Sequence, residues 1–417
     1  MEKIKVENFL VLKDIELTIN KINVIIGSQA NGKSLIAKLL YFFRDFLSTT
    51  YLNSIQELHN KKDVEREGLL KFERFFPKYA WKGQEFKLVY QIEDYEVTIT
   101  NKKNSSIKLD YSGSLVSLHK KTKNAYRKAQ TEKFQLENDV DEVFFDPFEH
   151  AVKQHILNNN QSNCFRNSIF IPASRSFFAN LQKNVFSFLA SNIDIDPFIK
   201  DFGSQYEQSK RYYANSYFRK QGRNQKLSEK IEDIIENILV GKYEQESDKD
   251  WITNRGKRVN LSNASSGQQE ALPMLLILSI WPFIRARKST FFIEEPEAHL
   301  FPISQKHIVS LLSLIHNEFN NNLIITTHSP YILTALNNNI LTKDVTDLKG
   351  FEAVSKITDP SLGIDFEKVS AYTIKNGRLT NIMDKDLRLI SSSVIDSVSE
   401  EFDKVFDSLL TLQMSKT

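Results

Sequence analysis

The stretch Ile22-Asn23-Val24-Ile25-Ile26-Gly27-Ser28-Gln29-Ala30-Asn31-Gly32-Lys33-Ser34 decides how this chain reads. Its first five residues form a short apolar run of the buried-strand type that stops at a glycine. From Gly27 to Ser34 the spacing fits G-x-x-x-x-G-K-[ST], in which glycines let the backbone wrap so that its N–H groups face phosphate oxygens. In this reading Gly27, Asn31 and Gly32 shape a nucleotide-binding loop. Lys33 brings charge to the β and γ phosphates of ATP, and the Ser34 hydroxyl ligates Mg²⁺. Leu35 to Phe43 continue with helical composition, which would point the positive end of a helix at the anion.

Outward from this loop the pattern is one of strands alternating with helices. Ile4, Val6 and Phe9 sit near alternation, and Ile15, Leu17 and Ile19 alternate strictly with polar residues, so residues 1–26 predict two or three strands. Residues 44–83 read as mostly helical, and 86–111 read as antiparallel hairpins. Lys120–Lys133 reads as a helix, and 158–163 as a polar loop. Ser168–Ile171 is a strand stopped by Pro172. Residues 177–255 read as a helical insertion, with Ile231, Ile234, Ile235, Ile238 and Leu239 on one helical face. Two further buried strands, Ser289–Ile293 and Leu323–Thr327, flank a helix from Pro302 to Phe319. The tail predicts short strands about Asn376-Gly377 and a final amphipathic helix. The expected fold class is α/β: a P-loop domain with a mostly parallel sheet flanked by helices, an antiparallel β lobe and a helical insertion. Its expected parts are an amino-terminal half of the core over 1–175, an insertion over 176–262 and a carboxyl-terminal half over 263–417.

Three further segments carry chemistry. Phe291-Phe292-Ile293-Glu294-Glu295-Pro296 delivers two adjacent carboxylates from a strand end. A hydrolytic phosphate site needs one acid near the metal and one to orient or deprotonate water, so Glu294 is the metal-side carboxylate and Glu295 the general base. Ser262-Asn263-Ala264-Ser265-Ser266-Gly267-Gln268-Gln269-Glu270 opens a long apolar helix. Taken alone, it reads first as an ordinary serine cap with a capping-box Gln or Glu. His328 ends the strand Leu323–Thr327, where it could bond a γ-phosphate and the attacking water. All of these lie just beyond apolar strands, where ligands bind in parallel sheets.

In order and kind, these motifs resemble the ABC-type ATPases related to chromosome-maintenance (SMC) and RecF proteins, an AAA-family ATPase set. Ala264-Ser265-Ser266-Gly267-Gln268 resembles the LSGGQ signature, and Glu294-Glu295-Pro296-Glu297-Ala298-His299-Leu300-Phe301-Pro302 resembles the overcoming-lysogenisation-defect (OLD) branch. The resemblance covers residues 1–46 and about 165–380. It implies an ATPase working as a dimer or higher oligomer of itself, with Ser265, Gly267 and Gln268 capping the partner's γ-phosphate. It also implies that Glu297, Ala298 and His299 form the loop crossing the dimer interface and that His328 is the switch histidine. Ile171-Pro172-Ala173-Ser174-Arg175 looks like a family element near the nucleotide, which makes Arg175 a candidate phosphate contact; its ordinary alternative is a salt-bridged strand end. Ser266 stands where the signature has its first glycine, and Glu294 where an aspartate is usual. Nothing after His328 resembles a Toprim nuclease domain. The chain is therefore similar to stand-alone ATPase subunits of phage-defence systems such as Septu, PARIS and some retrons, which work with a separately encoded effector such as a nuclease.

Composition limits the alternatives. Across 417 residues the net charge is only +3, so no overall field draws the chain to nucleic acid or anionic lipid. DNA binding, the RecF-like alternative, would need a local patch, and Lys210-Arg211 with Arg219-Lys220, Arg223 and Lys226 is the candidate. The same residues would serve as a solvated helical face. The single Cys164 suits a reducing cytosol, and no apolar run reaches membrane-spanning length, so a cytoplasmic protein without a membrane partner is expected.

Overall fold

The computed structural model describes residues 1–103, 106–136, 146–157, 163–179, 195–214, 223–246, 249–284, 288–391 and 406–409. Its centre is a six-stranded sheet. Strand β3 (Ile22–Ile26) lies in the middle, between β12 (Asn322–Thr327) and β13 (Val369–Lys375). Beyond β12 come β11 (Ser289–Glu294) and β7 (Asn167–Ile171), and beyond β13 comes β14 (Arg378–Asn381). All neighbours are parallel except the β13–β14 hairpin, whose Asn376-Gly377 turn takes φ of 54° and 73°. Those angles are the primed-turn geometry that Asn-Gly selects. Two larger antiparallel sheets stand beside the six-stranded one, with a short two-stranded pairing of Met383–Asp384 and Leu389–Ile390. The first has the order β2 (Leu12–Ile19), β1 (Glu2–Phe9), β4 (Phe86–Ile92), β5 (Tyr95–Asn101), β6 (Lys108–Tyr111). The second joins β8 (Lys242–Glu246), β9 (Lys249–Asn254) and β10 (Lys257–Asn260).

Strict alternation along the parallel strands divides the interior in two. Ile25, Phe170, Phe292, Ile324, Tyr372 and Ile374 face an aromatic half shared with α1 (Lys33–Asp45), α2 (Lys61–Phe75), α3 (Gly113–Leu136) and the five-stranded sheet. Val24, Ile26, Ile169, Ile171, Phe291, Ile293, Leu323 and Ile325 face an aliphatic half. The helices there are α5 (Arg223–Leu239), α6 (Ser266–Ile284), α7 (Pro302–Phe319) and α8 (Pro330–Lys349), with α4 (Pro197–Ala214) beside them. Many of the 30 phenylalanines serve the first half: Phe9 meets Phe72, Phe76 and Phe86 with ring centroids 5.8, 5.6 and 4.8 Å away. Helix α6 is apolar on every side because it is buried on every side. Among the described residues no helix is long and apolar enough to cross a membrane.

One part of the insertion differs from expectation. Helices α4 and α5 are present, but residues 242–260 form the three-stranded antiparallel sheet. Tyr243 and Ile252 face inward, and Arg255-Gly256, with φ of 48° and 75°, turns β9 into β10. The intervening residues are charged enough to mask the alternation. The expected loop at 158–163 and the final amphipathic helix lie almost wholly outside the described residues, as do 180–194 and 215–222 of the insertion.

Helix α1 is tied to the five-stranded sheet by a buried charge network. Arg44 on α1 donates through Nε and Nη2 to the Glu2 carboxylate, and through Nη1 to the Asn163 carbonyl at 2.7 Å. The Tyr90 hydroxyl donates to the same carboxylate at 2.7 Å. With the Arg44 and Glu2 side chains only 3% and 11% exposed, removing one partner strands a charge in a dry site. Glu2→Ala is expected to lower stability by about 3–5 kcal/mol, and Glu2→Gln, which keeps an acceptor, by less. Urea unfolding of the three proteins checks the order; a Glu2→Ala loss below about 1 kcal/mol would contradict the network's role.

Candidate functional site

The in-register parallel pairing brings four strand ends to one edge. Thr327 lies opposite Ile26, Glu294 opposite Thr326, and Ile293 opposite Ile171. The residues that follow, Gly27, His328, Glu295 and Pro172, therefore emerge together. This is why sequence-distant motifs meet.

The loop from Gly27 to Ser34 is drawn tight against the end of β13 and the β1–β2 turn. A Cβ on Gly27 would stand 2.9 Å from the Ile374 carbonyl oxygen. One on Gly32 would stand 2.7 Å from Leu12 Cδ2, and Gly32 also takes φ 96° where it caps α1. Only glycine meets both demands. Asn31 Nδ2 donates to Ser28 Oγ at 2.6 Å, closing the loop on itself. Lys33 Nζ donates to the carbonyls of Gly27 and Ser28 at 2.8 and 2.9 Å and lies 3.1 Å from His328 Nε2. Burial pushes the Lys33 ammonium below its ordinary pKa, against the opposing pull of Glu295 and Glu297.

Glu294 is 5% exposed, and burial raises its carboxyl above the ordinary range. Lys38, a hydrogen bond from Ser34 and the backbone of Ala173 oppose that rise, while the Glu295 charge adds to it. Its Oε1 is buried with no hydrogen-bond partner among the described residues. A partnerless carboxylate oxygen beside a serine hydroxyl is a hard oxygen donor set of the kind Mg²⁺ takes. Glu295 instead reaches outward, with Oε1 3.1 Å from His328 Nε2. It does so from φ 43°, a left-handed conformation uncommon for a residue with a side chain. Glu297 Oε1 accepts from Thr327 Oγ1 and from the His328 backbone N–H, both at 2.7 Å, and so braces the histidine.

Lys33, Ser34, Glu294, Glu295 and His328 are thus gathered at one edge. Ser265, Gly267 and Gln268 form a separate group at the amino terminus of α6. Ser265 Oγ donates to Gln268 Oε1 at 3.1 Å and accepts from the Gln268 backbone N–H at 3.3 Å, a reciprocal cap. Ser265 and Gln268 are exposed or partly so, while Gly267 is buried. A Cβ on Gly267 would lie 2.7 Å from the His299 carbonyl oxygen. Among the described residues no hydrogen bond joins this group to Lys33 or Ser34.

Two expectations need correction. Arg175 does not face the phosphate loop. It is fully buried, and its guanidinium bonds the backbone carbonyls of Pro172, Glu270, Glu294 and Glu295. Lys210 is 2% exposed, ion-paired to Glu207 and Asp250, and so cannot belong to a basic DNA-facing patch; Arg219 and Lys220 lie outside the described residues. Glu270 escaped sequence reading as anything but a helix-cap residue. Its signal was there: one carboxylate at the head of an otherwise apolar helix.

The strand order, the phosphate loop and the paired acids define a P-loop NTPase fold. A family model described as an AAA ATPase domain matches residues 167–333, the span from β7 through the acidic pair and His328. No curated protein matches the chain. Among solved structures it is similar to the SMC head domain from Thermotoga maritima at 12% identity and TM-score 0.38, over 91% of this chain and 97% of that one. It is also similar to the recombination mediator protein RecF-ATPrS of the RecFOR pathway at 11% identity and TM-score 0.34, over 91% of this chain and 97% of that one. A third is dimeric MJ0796, a bacterial ABC transporter cassette, at 10% identity and TM-score 0.30, over 91% and 96%. The matched span 167–333 thus reads as an ATPase domain, joined in one sheet to the phosphate loop that follows β3.

The contact of Gly267 with His299 gives a direct check. Gly267→Ala should displace the 295–300 loop and lower ATP turnover roughly 10- to 100-fold, the scale of ångström-sized misplacement, while nucleotide binding persists. Steady-state turnover beside equilibrium binding measures both, and unchanged turnover would contradict the contact.

Proposed function

We propose that two copies of this chain close face to face over ATP, each site pairing one copy's phosphate loop with the other's Ser265–Gln268 segment. The convergence of Lys33, Glu295 and His328 at one strand edge carries this reading, because it is the set phosphoryl transfer to water requires. Dimer closure is supported by the group at the head of α6. Its exposed serine and helix amino terminus suit a γ-phosphate, yet within one chain it engages none of the Lys33 set. Phe301, Ile303 and Tyr331, at 75%, 55% and 53% exposure, flank the same loops and would be covered on closure.

In the proposed reaction Lys33 neutralises β- and γ-phosphate charge, and His328 hydrogen-bonds the γ-phosphate. Glu295 takes a proton from water as its oxygen bonds to the γ-phosphorus and the bond to the β–γ bridging oxygen breaks. Ser34 and Glu294 would hold Mg²⁺, which supplies charge neutralisation to the phosphates when bound. In cells we assign the dimer to an antiviral defence complex, as the ATP-gated sensor and scaffold of a separately encoded effector. That assignment follows the likeness of residues 294–302 to the OLD branch. Clamping of DNA in the RecF manner is the second reading, and the burial of Lys210 weakens the patch it would use.

Lys33→Ala should reduce ATP turnover to background, and parent-like turnover in a clean preparation would refute the site. Glu295→Gln keeps shape without basicity, so ATP should bind, persist and hold a dimer visible by size measurement. A Glu295→Gln protein that hydrolyses ATP normally would show the acid roles to be misassigned.

A further inference from the structure

Arg175 is a buried charge that the reaction above leaves unused. It is fully buried, and its contacts come from three separate elements. Its Nε donates to the Glu270 carbonyl at 2.9 Å, on the second turn of α6. Its Nη1 donates to the carbonyls of Pro172 and Glu294 at 2.9 and 2.8 Å, and its Nη2 to the Glu295 carbonyl at 3.0 Å. The Glu270 carboxylate accepts from the Arg175 backbone N–H at 2.9 Å and pairs with the guanidinium at 3.6 Å. One rigid planar fork therefore spans the helix that carries Ser265–Gln268 and the backbone of both acids.

We infer that Arg175 is a positioning residue that couples the head of α6 to the backbone of Glu295, so that closure by a second copy is felt at the proposed base. This rests on the dimeric reading above. Glu295 is where such a link would matter. Its left-handed backbone persists only while its surroundings hold it. Three bonds do so: the Glu295 N–H to Thr326 O at 2.9 Å, the Ala298 N–H to Glu295 O at 3.0 Å, and Arg175. The first two lie within the strand pair and the loop itself; Arg175 alone of the three reaches α6. A displacement of α6 by a partner's nucleotide is thus carried through Glu270 and a guanidinium with no slack to the carbonyl of the residue that faces water. The phosphate loop lies on β3 and α1, which Arg175 does not touch by any hydrogen bond among the described residues, so affinity for ATP is left alone.

The test compares Arg175→Lys and Glu270→Gln with the parent. Lysine keeps the charge but cannot bond four carbonyls from one plane, and glutamine keeps shape and an acceptor. The coupling predicts Arg175→Lys turnover down roughly 10- to 100-fold, with MgATP affinity within about threefold of parent by equilibrium binding. Glu270→Gln should fall less, in the same direction, and the double variant should lose no more than Arg175→Lys alone, as expected of groups acting in one path. Three results would overturn the inference: parent-like turnover in Arg175→Lys, affinity and turnover falling together as a general packing defect would cause, or additive losses in the double variant. The parent and Glu295→Gln are run alongside. If the parent turns over no ATP, or Glu295→Gln forms no ATP-held dimer, the dimeric reading fails and the coupling with it. If both behave as expected and Arg175→Lys matches the parent, the coupling alone fails.

Discussion

The register of the parallel strands is the constraint from which the rest of this molecule follows. With Ile26 opposite Thr327, Thr326 opposite Glu294 and Ile293 opposite Ile171, four chain segments separated by up to three hundred residues finish at one level. A one-residue slip in any pair would turn each side chain to the opposite face. Phenylalanines of one half would exchange places with the aliphatic residues of the other, and the acids would no longer lie beside Lys33. The alternation that sorts Phe170 and Phe292 from Ile171 and Ile293 is therefore also what aligns the site.

Around that edge, polar groups are arranged so that little is left to solvent to organise. Glu297 braces His328 through its backbone, Ser329 donates to Gln305, and Arg175 gathers the carbonyls behind the acids. The exceptions are informative. Among the described residues Glu294 keeps a buried oxygen without a hydrogen-bond partner, as do Thr326 and Glu297 beside it, and Glu295 keeps an uncommon backbone conformation. Two residues of one type in one dipeptide thus occupy opposite environments, one dry and one facing out. That difference is what allows them different roles.

Much of this was legible from residue order. The phosphate loop and the acid pair are readable because the chemistry demands particular residues at fixed spacing within one short segment. The parallel core was readable because its strands are continuous apolar runs between helical stretches. What escaped notice depends on distance or exposure. Arg175 meets Glu270 across ninety-five positions, which no local pattern records. Lys210 looked like part of a basic stripe, but only the fold shows it turned inward to Asp250. The β8–β10 sheet was hidden because charged residues on its exposed face dilute a two-residue period in strands of four to six residues.

The account's central claim is that each complete site is built from two copies. It is tested most directly by mixing two inactive variants, Lys33→Ala and one with the 265–268 segment disabled by Ser265→Arg, an exposed position whose side chain bonds Gln268 and, among the described residues, no part of the 295–300 loop. In a mixed dimer one site unites both defects and the other has none. Random pairing then restores up to about a quarter of parental turnover, since half the dimers are mixed and each holds one intact site. Restored ATP hydrolysis on mixing is the predicted result. Two variants that stay as inactive together as they are apart would contradict a shared site.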